Sequence, residues 1–292
     1  MSLFINQLIN GVHVGSIYAL IALGYTMVYG IIRLINFAHG DILMVGAYTV
    51  VVAIGTLGLS PLAAILISIV ICTLFGILIE KIAYKPLRNS PKISSLITAI
   101  GVSMLLQNIA LLVFTPTPKP YPVPLSVEPL NIGGIQVSFM TVLTFGVSIA
   151  IMLALQAFVT ASKAGKSMRA VSEDVKAALL MGINTDNTIT LTFAIGCALA
   201  GVGSALFCLA YPSVSPTMGS LPGVKAFIAA VLGGIGVIPG AMLGGFLLGI
   251  AESFTKAYIS SQLSDAVVYG ILIVVLLFKP SGLLGKSVRE KV

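Results

Sequence analysis

The sequence predicts an all-α fold: a polytopic transmembrane helical bundle of about nine spans (range eight to ten), one of them short or discontinuous. Composition is the first reason. Hydrophobic residues make up 58% of the 292 and charged residues only 9%, with a mean hydropathy of +1.09. A soluble domain carries about 25% charged residues, so these charges could not cover a surface facing water. The second reason is run length. Residues 3–32, 42–79, 93–118, 187–224 and 226–251 are free of Asp, Glu, Lys and Arg, and a membrane helix needs about 20 such residues. The third is the grouping of basic residues at alternate ends of these runs. A β-barrel would instead alternate apolar and polar residues along each strand.

Turn chemistry cuts the runs into elements. The first span, 5–32, ends before Arg33, and the second covers 36–57. GTLGLSP (55–61) separates it from the third, 61–80. Lys81, Lys85, Arg88 and Lys92 follow, then a fourth span at 93–114. Residues 115–134 hold six of the fourteen prolines, which excludes a helix and predicts an exposed loop. The fifth span is 138–160 and the sixth 188–210. A loop over 211–222 leads to a short seventh segment at 223–237. VIPG (237–240) reads as a break before an eighth span at 240–258 and a ninth at 263–278.

Thirteen of the sixteen basic residues then fall on one side of the membrane: Arg33, the groups after the third and fifth spans, and the tail with Lys279, Lys286, Arg289 and Lys291. Lys119, Lys225 and Lys256 fall on the other. The bias makes the crowded side cytoplasmic. The C-terminus and residues 163–186 are then inside, the Pro-rich loop is outside, and with nine spans the N-terminus is outside as well. Topology thus accounts for the net charge of +7, with no need for nucleic acid. The start of the chain lacks the basic region of a signal peptide, so the first segment reads as a retained helix. Cys72, Cys197 and Cys208 lie in apolar runs without metal spacing, as small core residues do. No metal and no cofactor is expected.

Enzymatic motifs are sparse. AGKS (164–167) and LGKS (284–287) resemble the end of a phosphate-binding loop, but the first glycine of G-x-x-x-x-G-K-[ST] is replaced by Thr160 and Pro280. His13 and His39 are the two histidines, and neither HEXXH nor G-x-S-x-G occurs. The sequence therefore shows neither an ATPase of its own nor a catalytic site. An intramembrane enzyme using His39 stays open as a lesser reading.

Residues 163–186 hold seven of the 25 charged side chains. Within them, 172–182 reads as a helix of about nine residues. Ser172 is its expected cap, Glu173 and Asp174 sit at the positive end of the dipole, and Gly182 suits a left-handed C-cap. So short a helix is not stable alone in water. It either lies against the protein's own membrane ends or offers an apolar knob to a cytoplasmic partner, with Val175 and Leu179 beside Ala178.

Lys176–Ala177–Ala178 followed by Gly182 resembles the E-A-A-x-x-x-G coupling loop of ABC importer permeases. Lys176 replaces its Glu, and the downstream I-x-L-P is absent from TLTFAIG (190–196). The blocks 15–48, 169–184 and 229–253 look like the branched-chain amino acid permease family, H-type (LivH-like), and the similarity covers nearly the whole chain. The resemblance implies a bacterial inner-membrane subunit. It implies as partners a second, related permease subunit, two cytoplasmic ATP-binding subunits and a periplasmic binding protein that delivers a branched-chain or related amino acid. It also implies alternating access driven by ATP through a coupling helix at 172–182. Within the family, urea or short amides are alternative cargo; outside it, a stand-alone secondary transporter or channel remains possible.

Three further groups stand out. Asn36, His39 and Asp41 either line the path or sit in a cytoplasmic turn. Gly236, Gly240, Gly244, Gly245 and Gly249, like Gly11 and Gly15, let helices pack closely, within one subunit or between subunits. Lys225, Lys256 and Asp265 are expected to snorkel from span ends, with Glu252 and Lys256 pairing at i,i+4.

Overall fold

The structure, a computed structural model, describes residues 2–88, 90–122, 130–132 and 135–285. Its helices are α1 (Ser2–Ile32), α2 (His39–Gly55), α3 (Pro61–Ile79), α4 (Lys92–Phe114), α5 (Phe139–Ala161), α6 (Lys163–Glu173), α7 (Val175–Leu180), α8 (Thr185–Ala210), α9 (Ser220–Gly233), α10 (Ile238–Tyr258) and α11 (Ser264–Phe278). A π-helical turn, Glu80–Tyr84, and a 3-10 turn, Lys85–Leu87, extend α3. Among the described residues six helices are long and apolar enough to cross a membrane: α1, α3 with its extension, α4, α5, α8 and α10. The other three apolar segments, α2, α9 and α11, are each 17 residues or fewer. Three segments are therefore short, where one was expected.

Two boundaries differ from expectation. The break placed at 237–240 lies at 234–237, where Gly234 and Gly236 take φ of +108° and +93°. Pro239 sits in the first turn of α10, where its missing N–H has no intrahelical partner to lose. Pro222 is likewise accepted in the first turn of α9, which begins three residues earlier than expected. In the Pro-rich stretch, β1 (Lys119–Pro120) pairs antiparallel with β4 (Ser213–Val214), and β2 (Leu130–Ile132) with β3 (Ile135–Val137). The described part of the stretch is therefore tethered at Lys119–Pro120 rather than wholly exposed. Tyr121 is buried beside β1, and that burial pushes its hydroxyl pKa up. The rest of the stretch, 123–129 and 133–134, lies outside the described residues, as do Lys286, Ser287 and the basic residues beyond them.

The chain divides into two compact units. One comprises residues 27–126 and 157–224. At its centre α2, α3 and α8 pack on one another through small residues: a Cβ on Gly46 would meet Ser204 Oγ at 2.5 Å, and one on Gly76 would meet Cys197 Sγ at 2.5 Å. The outward residues of α3 and α4, among them Leu66, Val70, Leu74, Met104, Leu105 and Leu112, are exposed. In water that would be a large unpaid hydrophobic surface; in lipid it is the ordinary outer face of a bundle.

The other unit comprises residues 1–26, 127–156 and 225–292. Its core groups Tyr18, Ile228, Leu248 and Val268. α1 meets α5 through hydrogen bonds from Ser148 Oγ to the Ser16 carbonyl (2.9 Å) and between His13 and Thr144 (2.9 Å). α1 meets α10 backbone to backbone. A Cβ on Gly15 would strike Phe246 Cα at 2.8 Å, one on Gly245 would strike Ala19 Cα at 2.5 Å, and Gly249 lies against Gly15.

Candidate functional site

The charged stretch 163–186 folds as an elbow of two helices. Ser162 caps α6 by accepting from the Gly165 N–H at 2.9 Å. Gly165, Met168 and Val171 form its buried stripe, while Lys163, Lys166 and Arg169 are exposed. AGKS lies in the first turn of this helix rather than in a loop after a strand, with the Gly165 N–H taken by Ser162 Oγ and the Lys166 N–H by the Ser162 carbonyl.

The expected nine-residue helix over 172–182 is not formed. Burial of the stripe carries α6 through to Glu173, and Ser172 Oγ donates back to the Arg169 carbonyl at 2.7 Å. The chain breaks instead at Asp174, which adopts extended backbone and whose carboxylate accepts from the N–H groups of Lys176 (2.8 Å) and Ala177 (3.0 Å). Asp174, not Ser172, is therefore the cap of α7. At the other end Gly182 takes φ of +79°, with Gly182 N–H donating to the Leu179 carbonyl and Ile183 N–H to that of Ala178, a Schellman closure. The six-residue helix so fixed is seated by Ala178, which is 3% exposed. It presents Val175, Leu179, Leu180 (89% exposed) and Met181 (81%) outward.

An ionic knot anchors the chain just beyond this helix. Asp186 stands in the first turn of α8, which Asn184 caps. Lys85 Nζ reaches Asp186 Oδ2 at 2.7 Å, and Arg88 bridges Asp186 to Glu80. Glu80 is fully buried in the π-helical turn and also accepts from Thr190 Oγ1 at 2.7 Å. Sequence reasoning used Lys85 and Arg88 only as topology markers. The missed signal was Glu80, a carboxylate at the end of an apolar run with basic residues on its C-terminal side.

Asn36, His39 and Asp41 are all buried where the backbone enters α2. This rules out a solvated turn. Arg33, at φ +56°, ends α1, and 33–36 is non-helical. Tyr84 donates to Asn36 Oδ1 at 3.1 Å, and Gln107 Nε2 donates to Asp41 Oδ1 at 2.9 Å while also reaching Ser103 and Ser220 Oγ. Gly40 and Gly219 touch backbone to backbone, leaving no room for a Cβ on either. A polar seam thus joins the beginnings of two short helices, α2 and α9. Asp41 lies at the positive end of the α2 dipole.

In the other unit Lys225 does not snorkel. It is buried, and its ammonium meets Glu252 Oε1 at 2.8 Å and Asp265 Oδ1 at 2.7 Å. Lys256 meets Glu252 at 2.6 Å, and the Tyr18 hydroxyl donates to Glu252 Oε2 at 2.9 Å. Gly240 and Gly244 lie against the backbone of α9, at Gly233 and Ala229. Gly236 belongs to the turn, where its positive φ is what matters.

Residues 7–276 match the family described as branched-chain amino acid transport system permease component. The chain is 46% identical, over 99% of its length and 98% of the relative's, to the high-affinity branched-chain amino acid transport system permease protein BraD of Pseudomonas aeruginosa. It is 44% identical over the same shares to the corresponding LivH protein of Escherichia coli K12. It is 29% identical, over 92% of its length and 89% of the relative's, to a probable LivH of Methanocaldococcus jannaschii. No solved structure matches. With the family model covering most of the chain and full-length relatives above 40% identity, the protein belongs to the branched-chain amino acid transport system permease component family.

Proposed function

We propose that this chain is the inner-membrane permease subunit of an ATP-driven importer for branched-chain or related amino acids, working by alternating access. The observation that carries the reading is α7. A six-residue helix capped at both ends, with Leu180 and Met181 bare, is a rigid apolar knob that suits docking to a partner. Such a knob suits a groove on an ATP-binding subunit. The Glu80–Arg88–Asp186 knot just beyond it links the segment beside the knob to α3 and α8. The remaining partners are a second permease subunit, a second ATP-binding subunit and a periplasmic binding protein.

The basic-residue bias supports nine crossings, with the N-terminus periplasmic and the C-terminus, α6 and α7 cytoplasmic. Asn36, His39 and Asp41, joined by Gln107 and Ser220, are the candidate path. They are buried and hydrogen-bonded, so on this reading the path has to open for cargo to pass.

Reconstitution of the whole complex in liposomes tests this. Leucine uptake is expected only with ATP, the ATP-binding subunits and the binding protein together. Uptake by the chain alone, driven by an ion gradient, would sink the proposal. Leu180→Asp is expected to cut uptake about tenfold or more, as loss of an interface anchor does, while leaving the permease folded. Ala178 is a poorer probe, since it is buried and its replacement would disturb packing directly.

A further inference from the structure

The unit built on α2, α3 and α8 carries a feature that neither coupling nor translocation uses. A cavity of about 410 Å³ opens between α2, α3 and α4, walled by apolar side chains that include Met44, Val52, Ile67, Phe75 and Ile109. Val52, Ile67 and Ile109 at its rim are exposed apolar residues of α2, α3 and α4, and Leu57 is an exposed apolar residue of the turn after α2, so acyl chains suit the medium at its mouth. At the end where α2 and α4 both finish, Phe114 lines the cavity and stacks on Tyr48, with ring centroids 4.1 Å apart and planes 7° apart.

The chain then turns sharply. Thr115 takes φ of +65° and ψ of 162°, a conformation non-glycine residues avoid and that persists only where the surroundings impose it. The turn returns Lys119 over Phe114, with its ammonium 5.4 Å from the ring centroid. Pairing of β1 with β4 fixes that return. Among the described residues no carboxylate forms an ion pair with Lys119. Tyr48, which also lines the cavity, has a buried hydroxyl with no hydrogen-bond partner among the described residues.

We infer that this groove is a binding site for an anionic phospholipid, with one acyl chain between α2, α3 and α4, the phosphate on Lys119 and the Tyr48 hydroxyl available to an ester carbonyl. The chemistry matches from end to end. The lining is apolar, and among the described residues a hydroxyl donor without an acceptor lies in it and a cation without an ion-pair partner stands beside Phe114. An amino-acid zwitterion finds nothing comparable in the groove, and a wholly apolar occupant would leave Lys119 and Tyr48 unused.

The test uses the intact transporter complex in vesicles of mixed phosphatidylglycerol and phosphatidylcholine, with chain-end spin-labelled forms of each lipid as probes. Electron paramagnetic resonance is expected to show an immobilised component that prefers phosphatidylglycerol. Lys119→Glu, at a partly buried position, is expected to lower that preference about fivefold, the scale of one basic residue at a membrane surface. Ile109→Trp, which fills the groove from its rim, is expected to remove the immobilised component for both lipids. Equal immobilisation of the two lipids in the wild type, or no response to either variant, overturns the assignment. So does efficient disulfide cross-linking of an Ile109→Cys variant to the second permease subunit, which would make the groove a protein interface.

Discussion

The two units solve one electrostatic problem with the same parts and different wiring. Each centres on a buried glutamate, Glu80 (0% exposed) or Glu252 (1%). Each adds a half-exposed aspartate, Asp186 or Asp265, a hydroxyl donor, Thr190 or Tyr18, and two cations. Around Glu252 both cations, Lys225 and Lys256, contact the buried carboxylate. Around Glu80, among the described residues, only Arg88 does, and the second cation, Lys85, serves the exposed aspartate. One cluster is redundant at its buried charge and the other depends on a single guanidinium. Redundancy favours a fixed joint. Dependence on one bridge favours a joint that can be remade, which suits the segment between α7 and α3.

That contrast sets an order of effects. Arg88→Met strips Glu80 of the one cation that meets it among the described residues and is expected to destabilise most, by about 3–5 kcal/mol, as breaking a buried pair does. Cys72, Cys197 and Cys208 are free and buried, so a thiol-reactive dye can follow thermal unfolding of the detergent-solubilised protein. Arg88→Lys should recover part of that loss only, because an ammonium lacks the fork that holds two carboxylates at once. Lys225→Met is expected to cost less, about 1–3 kcal/mol, since Lys256 remains on Glu252 and Asp265 can turn to solvent. A loss equal to that of Arg88→Met would break the comparison. Thr190→Val and Tyr18→Phe each remove a hydrogen bond to a charged group, about 1.5–3 kcal/mol, with Thr190→Val expected at the upper end. The smallest effect is Ser162→Ala at the α6 cap, about 1 kcal/mol. It should leave both clusters intact and serve as the control.

Much of the helical layout was legible in the sequence, because in lipid a backbone must satisfy its own hydrogen bonds and an apolar run therefore becomes a helix. Each of the nine segments read from turn residues and uncharged runs corresponds to a helix, most bounds falling within three residues. Misreadings came where two local signals competed. Ser172 and Asp174 are both good caps, and the burial of Met168 and Val171, invisible to a cap rule, decided between them. Lys225 looked like a snorkelling residue because its two carboxylate partners lie 27 and 40 positions further on. Asn36, His39 and Asp41 were singled out as polar residues beside a glycine, but their partners Tyr84, Gln107 and Ser220 were not.

By itself the sequence determined what depends on neighbours in the chain: membrane residence, the helices and their turns, the charge bias and the family resemblance. Tertiary structure alone decided which charges are neutralised by which, that Leu180 and Met181 are bare while Ala178 is seated, and that Lys119 returns over Phe114 at the end of an apolar groove. The physical reason is range. Hydropathy and capping act within a helical turn or a span, whereas a buried ion pair or a cavity wall is made by side chains that only packing brings together.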